Sequence, residues 1–454
     1  MARPHLVTLP YEVRDKIFQE YFRVEGGYVF NSESEKLTTA DGQPIDFSLM
    51  HTCRLIAKDT RHLPFAVNNI SFSTFSSPEW MAWAGRHQFL SQFLCLLKAD
   101  LIYHLQGPKM SPELESALQD KFPHLMPDFK HRLENKGGEL VRLWGINAGM
   151  AREAIAFSLR FLGERQYFDL AGLLNKAFPG WKGSNDPQDL LDLSLDPWDI
   201  PSKVVLTRAG RLLRDDAMWR RSEDWDKGLR AKYRFSAAAV AIRFFRQLSV
   251  DQRRKLRFVT IIEDAYAVCS PSTHAMGLIE FCEDNPRLRI KRHLKLSRRI
   301  PAAFHPFSRH FGYSGLGRHL FSEDDGGDYM DAWVAVAGVS TWLEEAITLP
   351  DAGMPPNSFT LFLDGEPDKS YFSNIFQNTL VRHGPLMHAS KRLYRTSPQQ
   401  FDGAPPYRLW QRVELSKAVE YLTKAHSTSE STHSTPLIRS NFHPGQPPDI
   451  ESII

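Results

Sequence analysis

Hydrophobic residues repeat at helical intervals through most of the first 180 positions. Between residues 8 and 22, Val13, Ile17 and Tyr21 recur every fourth residue with Phe18 and Phe22 beside them, which predicts a short helix with one apolar side. Pro10 suits its first helical position, and Glu12 complements the positive end of the helix dipole. Arg14, Asp15, Lys16 and Glu20 fall largely on the other side. Residues 46–59 carry a second apolar helical face through Leu49, Cys53, Ile56 and Ala57. Residues 63–72 predict a helix end, a turn and the start of a strand. A long amphipathic helix is predicted over 79–105, with Trp80, Trp83, Leu90, Leu94, Leu97 and Leu101 on it, and Gly107-Pro108 stops it. Ser111-Pro112-Glu113 opens another helix with an N-cap, a proline and an acid, and a further one covers 146–163.

Past residue 230 the rhythm changes. Helical patterns over 235–245, 272–283, 329–347 and 369–382 alternate with strand patterns over 256–262, 287–296 and 359–363, the last ended by Asp364-Gly365. Such alternation predicts an α+β fold, with a helix-rich N-terminal part and a mixed domain holding a small sheet. The expected division is a helical motif over 1–75, a helical region over 76–180, an irregular linker over 181–230, a mixed α/β domain over 231–422 and a disordered tail over 423–454. Turn residues from Pro179 to Pro187 set the first boundary, and Trp198 is expected to dock on a neighbour. The Ser, Thr and Pro content past residue 425 predicts the tail. No solenoid or propeller repeat is visible.

Composition narrows the class without naming it. Of 454 residues 42% are hydrophobic and 24% charged, which is ordinary for a globular chain and excludes wholesale disorder. Four cysteines, Cys53, Cys95, Cys269 and Cys282, are too few for a disulfide scaffold of this length. No signal-peptide core follows Met1, and no apolar run approaches the ~18–20 residues that span a bilayer. The expected setting is cytoplasmic or nuclear, with no membrane partner.

Leu9-Pro10-Tyr11-Glu12-Val13, then Ile17-Phe18, then a helix with Leu49 and Cys53-Arg54, resembles the F-box motif of ubiquitin-ligase substrate adaptors. It is more closely similar to the F-box-like N-termini of large fungal protein families. Residues 25–45 form a longer insertion than an F-box has, and Ile56 stands where many carry Trp. Blocks at 196–202, 233–244, 274–290 and 353–361 also look like one such fungal family. The resemblance implies a Skp-type linker subunit of a cullin ubiquitin ligase as partner, docked through Leu9, Pro10, Val13, Ile17, Phe18, Leu49 and Cys53, and an unknown protein substrate. The same apolar stripes also fit helices that pack on the rest of the protein.

The remaining chemistry is one of charge. The net charge of +3 is small, yet residues 231–299 hold 15 Lys/Arg against 6 Asp/Glu. In the strand over 287–296, Leu288, Ile290, Leu294 and Leu296 alternate with Arg287, Arg289, Lys291, His293 and Lys295, and Arg253, Arg254 and Arg257 precede the neighbouring strand. Three readings are open. The face tracks the phosphates of a nucleic acid or chromatin partner, recognises an acidic or phosphorylated protein segment, or is a solvated edge that deters aggregation.

Cys269, His274 and Cys282, with His293 beyond, lack paired metal-ligand spacing, and a packed thiol and a hydrogen-bonded histidine are expected instead. Residues 312–317 match neither a nucleophile elbow nor a phosphate loop, and residues 323–328 lack calcium-loop spacing. The adjacent Glu344 and Glu345 point apart on a helix and make a poor acid/base pair. No cofactor, metal or catalytic set is expected, and the chain reads as a non-enzymatic adaptor.

Overall fold

The structure, a computed structural model, describes residues 6–75, 77–107, 109–126, 129–130, 148–214, 233–298, 332–382, 413–427 and 436–446. Among these residues seven strands form one sheet: β1 (Tyr28–Asn31), β2 (Lys36–Thr39), β3 (Asn69–Ser73), β4 (Phe258–Glu263), β5 (Arg289–Lys295), β6 (Phe359–Asp364) and β7 (Ile438–Ser440). Their order is β2-β1-β3-β4-β5-β6-β7, and only the β1–β2 pair is antiparallel. Parallel strands that step in one direction with crossovers of one hand carry every connection on the same side. Burial alternates accordingly. Ile70, Phe72, Val259, Ile261, Ile290, Leu294, Leu361 and Leu363 point into the core, while Ser71, Thr260, Lys291, His293, Phe362 and Arg439 lie on a face that stays open or half-covered.

Helices α1 (Tyr11–Phe22), α2 (Arg54–Thr60) and α3 (Leu63–Val67) precede β3. The β3–β4 connection holds α4 (Pro78–Gln106), α5 (Pro112–Lys121), α6 (Ala148–Arg165), α7 (Tyr167–Ala177), α8 (Pro187–Leu191), α9 (Lys203–Leu213), α10 (Ala237–Gln247) and α11 (Val250–Arg253). A 3₁₀ segment (Pro271–Leu278) and α12 (Ile279–Asp284) lead to β5, α13 (Ala332–Thr348) to β6, and α14 (Lys369–Ile375) and α15 (Val413–Ser427) to β7. Hydroxyl caps explain several starts. Ser111, Ser202 and Ser236 accept from the amides of Leu114, Val205 and Ala239. Gly107 ends α4 at φ +75°, a conformation glycine adopts without a Cβ penalty.

One core runs from Phe30 to Phe442 on the covered face. Phe72 of β3 meets Phe244 and Phe245 of α10 at ring-centroid distances of 5.5 and 5.9 Å. The turn-rich stretch near residue 180 does not divide this core, because Trp181 and Leu190 are buried in it. Trp198 docks as expected, its ring lying so close to Gly277 that a Cβ there would overlap it. A separate small cluster of Phe18, Phe22, Ile56 and Leu63 joins α1, α2 and α3.

The α+β class holds, but the sheet is larger than the sequence pattern suggested. The insertion over 25–45 contains the β1–β2 hairpin, and β3 joins the same sheet, so strands from the first 75 residues pair with those past residue 250. The second predicted helix breaks at Cys53, whose extended backbone (φ −159°) precedes α2, and its side chain is exposed. The expectation of a tail from residue 423 is corrected over 436–446: Ile438 pairs with Leu361, and Phe442 is buried against Phe376. A three-residue strand among Ser, Thr and Pro presents no periodicity to read; pairing with β6 orders it. Among the described residues, no helix is long and apolar enough to cross a membrane.

Candidate functional site

The N-terminal helices present the first candidate surface. On α1, Phe18 and Phe22 turn inward, so Val13, Ile17 and Tyr21, one turn apart from each other, are left 44%, 42% and 44% exposed. Arg14 fixes the helix from beneath: it donates to the Leu9 carbonyl at 2.9 Å and pairs with Asp59 of α2 at 2.8 Å. Tyr21 donates to Asp46 at 2.7 Å, and this bond and those from Ser48 hold the Asp46 carboxyl down to about 2. Asn68 donates to the Phe22 carbonyl at 2.7 Å and ties the end of α1 to the start of β3. Of the residues singled out for docking, Pro10, Val13, Ile17 and Cys53 are exposed, Leu9 and Leu49 are half-buried, and Phe18 is sealed in the cluster. Tyr21 and Phe47 add exposed apolar surface.

The second surface is the open face of the sheet. Arg289, Lys291, His293 and Lys295 share it as the alternation predicted, with Arg287 and Arg257 at its N-terminal end and Arg254 exposed nearby. The sequence missed Arg439 of β7, which pairs with Phe362 of β6, itself opposite His293. Lys291 Nζ lies 3.9 Å from the Phe362 ring centroid and the His293 ring 4.7 Å from it. Burial, then the charge on Lys291, pushes His293 down to about 4, so it is neutral at pH 7. Burial and the charge of Arg439 lower Lys291, and burial and Arg287 lower Arg257. Arg253 is not part of this face. Its guanidinium lies 5.6 Å from the Phe281 ring centroid and 3.8 Å from Asp284.

Beneath the sheet lies a buried polar cluster. Arg292 of β5 and Glu263 of β4, both on the covered face, are 1% and 0% exposed. Arg292 Nε donates to Glu263 Oε1 at 3.0 Å and Nη2 donates to the Pro271 carbonyl at 2.6 Å, with Trp342 stacked 4.5 Å away. Glu263 also accepts from the amides of Ala237 and Ala238, the first residues of α10. The signal was present in the sequence: Arg292 sits in phase with Leu288, Ile290, Leu294 and Leu296, and a charge at an inward position requires a partner.

Two pairs in this region have the composition of nucleophile and base. Ser236 Oγ is 2.6 Å from His274 Nδ1, and Cys269 Sγ is 3.4 Å from His87 Nδ1. None of the four is more than 1% exposed. His274 Nε2 donates to the Cys269 carbonyl, so Nδ1 accepts from the Ser236 hydroxyl, whose oxygen already caps α10. Burial drives the Cys269 thiol up to about 12 and His87 down to about 3, so both stay neutral. A thiol and an imidazole in that state make a structural hydrogen bond, without the thiolate that nucleophilic catalysis uses. Cys269 and Ser270 are held at φ +61° and +56°, where the Gln88 side chain accepts from the Cys269 amide.

Of the neighbours in sequence, Cys269 and His274 stay in contact, through the Cys269 carbonyl. Cys282 is buried within α12, and His293 lies on the opposite face of the sheet from His274. Among the described residues, no three His, Cys, Asp or Glu side chains are grouped to hold a metal ion. Glu345 is buried and accepts from the Gly149 amide at the start of α6. The histidines at 305 and 310 and the glycine-rich and acidic stretches over 312–328 lie outside the described residues. Compared with protein-family models, curated proteins and solved structures, the chain matches none.

Proposed function

We propose that the chain is a non-enzymatic, F-box-like adaptor of the cytoplasm or nucleus. In this reading α1 docks on a Skp-type linker subunit of a cullin ubiquitin ligase, and the remainder of the chain presents a protein substrate. The observation that carries the reading is the exposed stripe of Val13, Ile17 and Tyr21 on a helix whose other side is sealed by Phe18 and Phe22. A helix that only packs on its own protein gains nothing by keeping such a stripe in solvent. An amphipathic helix that docks elsewhere keeps it for a partner's apolar groove. The motif positions Leu9, Pro10 and Glu12 precede the stripe in the order an F-box has them.

The test is direct binding of the full chain to a recombinant Skp-type subunit, beside a Val13→Asp/Ile17→Asp variant. Both residues are exposed, so the variant keeps its thermal transition, whereas a change at buried Phe18 would unfold the helices. Wild type is expected to co-elute with the subunit, and the variant to bind at least tenfold more weakly. A wild-type chain that fails to bind the subunit removes the adaptor reading.

A further inference from the structure

Parallel sheets are ordinarily covered on both faces. This one buries one face and leaves on the other an array of cations whose register is set by three strands. Elsewhere on the surface, basic side chains find carboxylates: Arg160 with Asp192, Arg208 with Asp189 and Arg243 with Glu35. On the open face, among the described residues, Arg289, Lys291, Lys295 and Arg439 have no carboxylate within ion-pair distance. Asp364, an acid at the end of β6 on that face, accepts from the Asn441 side chain and the Glu366 amide and attracts Lys291 from beyond ion-pair distance. Like charges held this close repel, which an anionic partner would relieve.

We propose that the open face binds an extended, acidic protein segment with carboxylates at alternate positions. Side chains on one face of a strand repeat about every 6.6–6.8 Å, and an extended segment repeats its own at the same interval. Arg289, Lys291 and Lys295 along β5 fall at one repeat and then two of that spacing, with the neutral His293 between the lysines, and Arg439 two strands away gives the segment a second row of contacts. Nucleic acid fits less well. The central ring, Phe362, is half-buried, capped by Lys291 and flanked by His293, which leaves Phe258 as the exposed ring among the described residues of this face, whereas single strands stack successive bases on several rings. The Arg289 guanidinium donates to the Pro286 and Leu288 carbonyls at 2.7 and 2.9 Å, a fixed array suited to fixed carboxylates. Phe258, 54% exposed beside Arg289, supplies an apolar anchor at one end. The inference rests on the adaptor reading for the segment's use as substrate and not for its binding.

Fluorescence anisotropy on the full chain tests it, with a labelled dodecapeptide of alternating Glu and Thr. The comparison probes are the same residues with all Glu in one block, an oligothymidylate and a short DNA duplex. The alternating peptide is expected to bind more tightly than the block peptide, and a Lys291→Glu/Arg439→Glu variant to lose at least tenfold. Both positions are exposed, and a Lys291→Ala/Arg439→Ala pair serves if charge reversal lowers the thermal transition. No binding of the alternating peptide, equal binding by either folded variant, or tighter binding of an oligonucleotide that displaces the peptide overturns the proposal. The Val13→Asp/Ile17→Asp variant is expected to keep peptide affinity, so loss of the linker subunit and loss of the acidic segment are read separately.

Discussion

At the residue scale, the buried groups make the strongest demands. Glu263 faces Arg292 and the first amides of α10 at once, so removing either partner strands a charge away from water. Arg292→Met is expected to cost about 3–5 kcal/mol in urea unfolding. A Glu263→Leu/Arg292→Met double variant is expected to recover only part of this, because the Ala237 and Ala238 amides and the Pro271 carbonyl lose their partners. The buried histidines set the acid limit. His87, lowered to about 3, and His274, lowered well below its ordinary 6.5, are neutral in the folded chain and bind protons when it unfolds. The unfolded state then carries more protons at acid pH, so stability is full above about pH 6.5 and falls as pH drops toward 3. In that window His87 alone contributes a loss of about 1.4 kcal/mol per pH unit. Urea midpoints at pH 7 and pH 5 are expected to differ in that direction, and His87→Gln to flatten the slope. An unchanged slope in the variant would show that the acid loss comes from other groups.

At the element scale, what could be read from the sequence depended on period and length. The helices α1, α4, α5 and α10 and the strands β4, β5 and β6 all carry several repeats of their period, and each lies close to its predicted span. β1 and β2 are four residues each and β7 three, too short for alternation to register, and the partner of β7 lies more than seventy residues away in sequence. The docking stripe was half legible for a related reason. Val13, Ile17, Phe18, Tyr21 and Phe22 cover much of the circumference of α1, and periodicity alone does not say which of them face the cluster. Arg439 was out of reach because it belongs to the shortest strand. The irregular 196–202 stretch shows the opposite case, where a single ring makes a contact between elements. The Trp198 ring packs closely against Gly277 in the 3₁₀ segment (Pro271–Leu278), so Gly277→Ala must displace one of them. The expected loss is about 1–3 kcal/mol by thermal or urea unfolding. An unchanged stability would mean that the ring moves away at no cost.

At the scale of the whole molecule, one candidate surface lies on α1 and the other on the sheet that the N-terminal helices lead into. β3 follows directly from the N-terminal helices, and β7 closes the far edge with residues from near the C-terminus. Composition marks residues past 423 as dispensable, whereas the pairing marks 436–446 as structural. Ile438 and Phe442 are buried, and Asn441 supplies a side-chain bond to Asp364. Removing them would leave β6, with Phe359, Leu361 and Leu363 inward, as an unpaired edge, a template for association with another copy. A chain ending at residue 427 is therefore expected to melt lower and to aggregate on heating, while a chain ending at residue 446 behaves as the full length. Light scattering during a thermal ramp separates them. If the shorter chain stays as stable and as monodisperse as the longer, β7 does not close the sheet. Arg439 then contributes only as a charge on a peptide arm, and the acidic-segment site contracts to β5 and its neighbours.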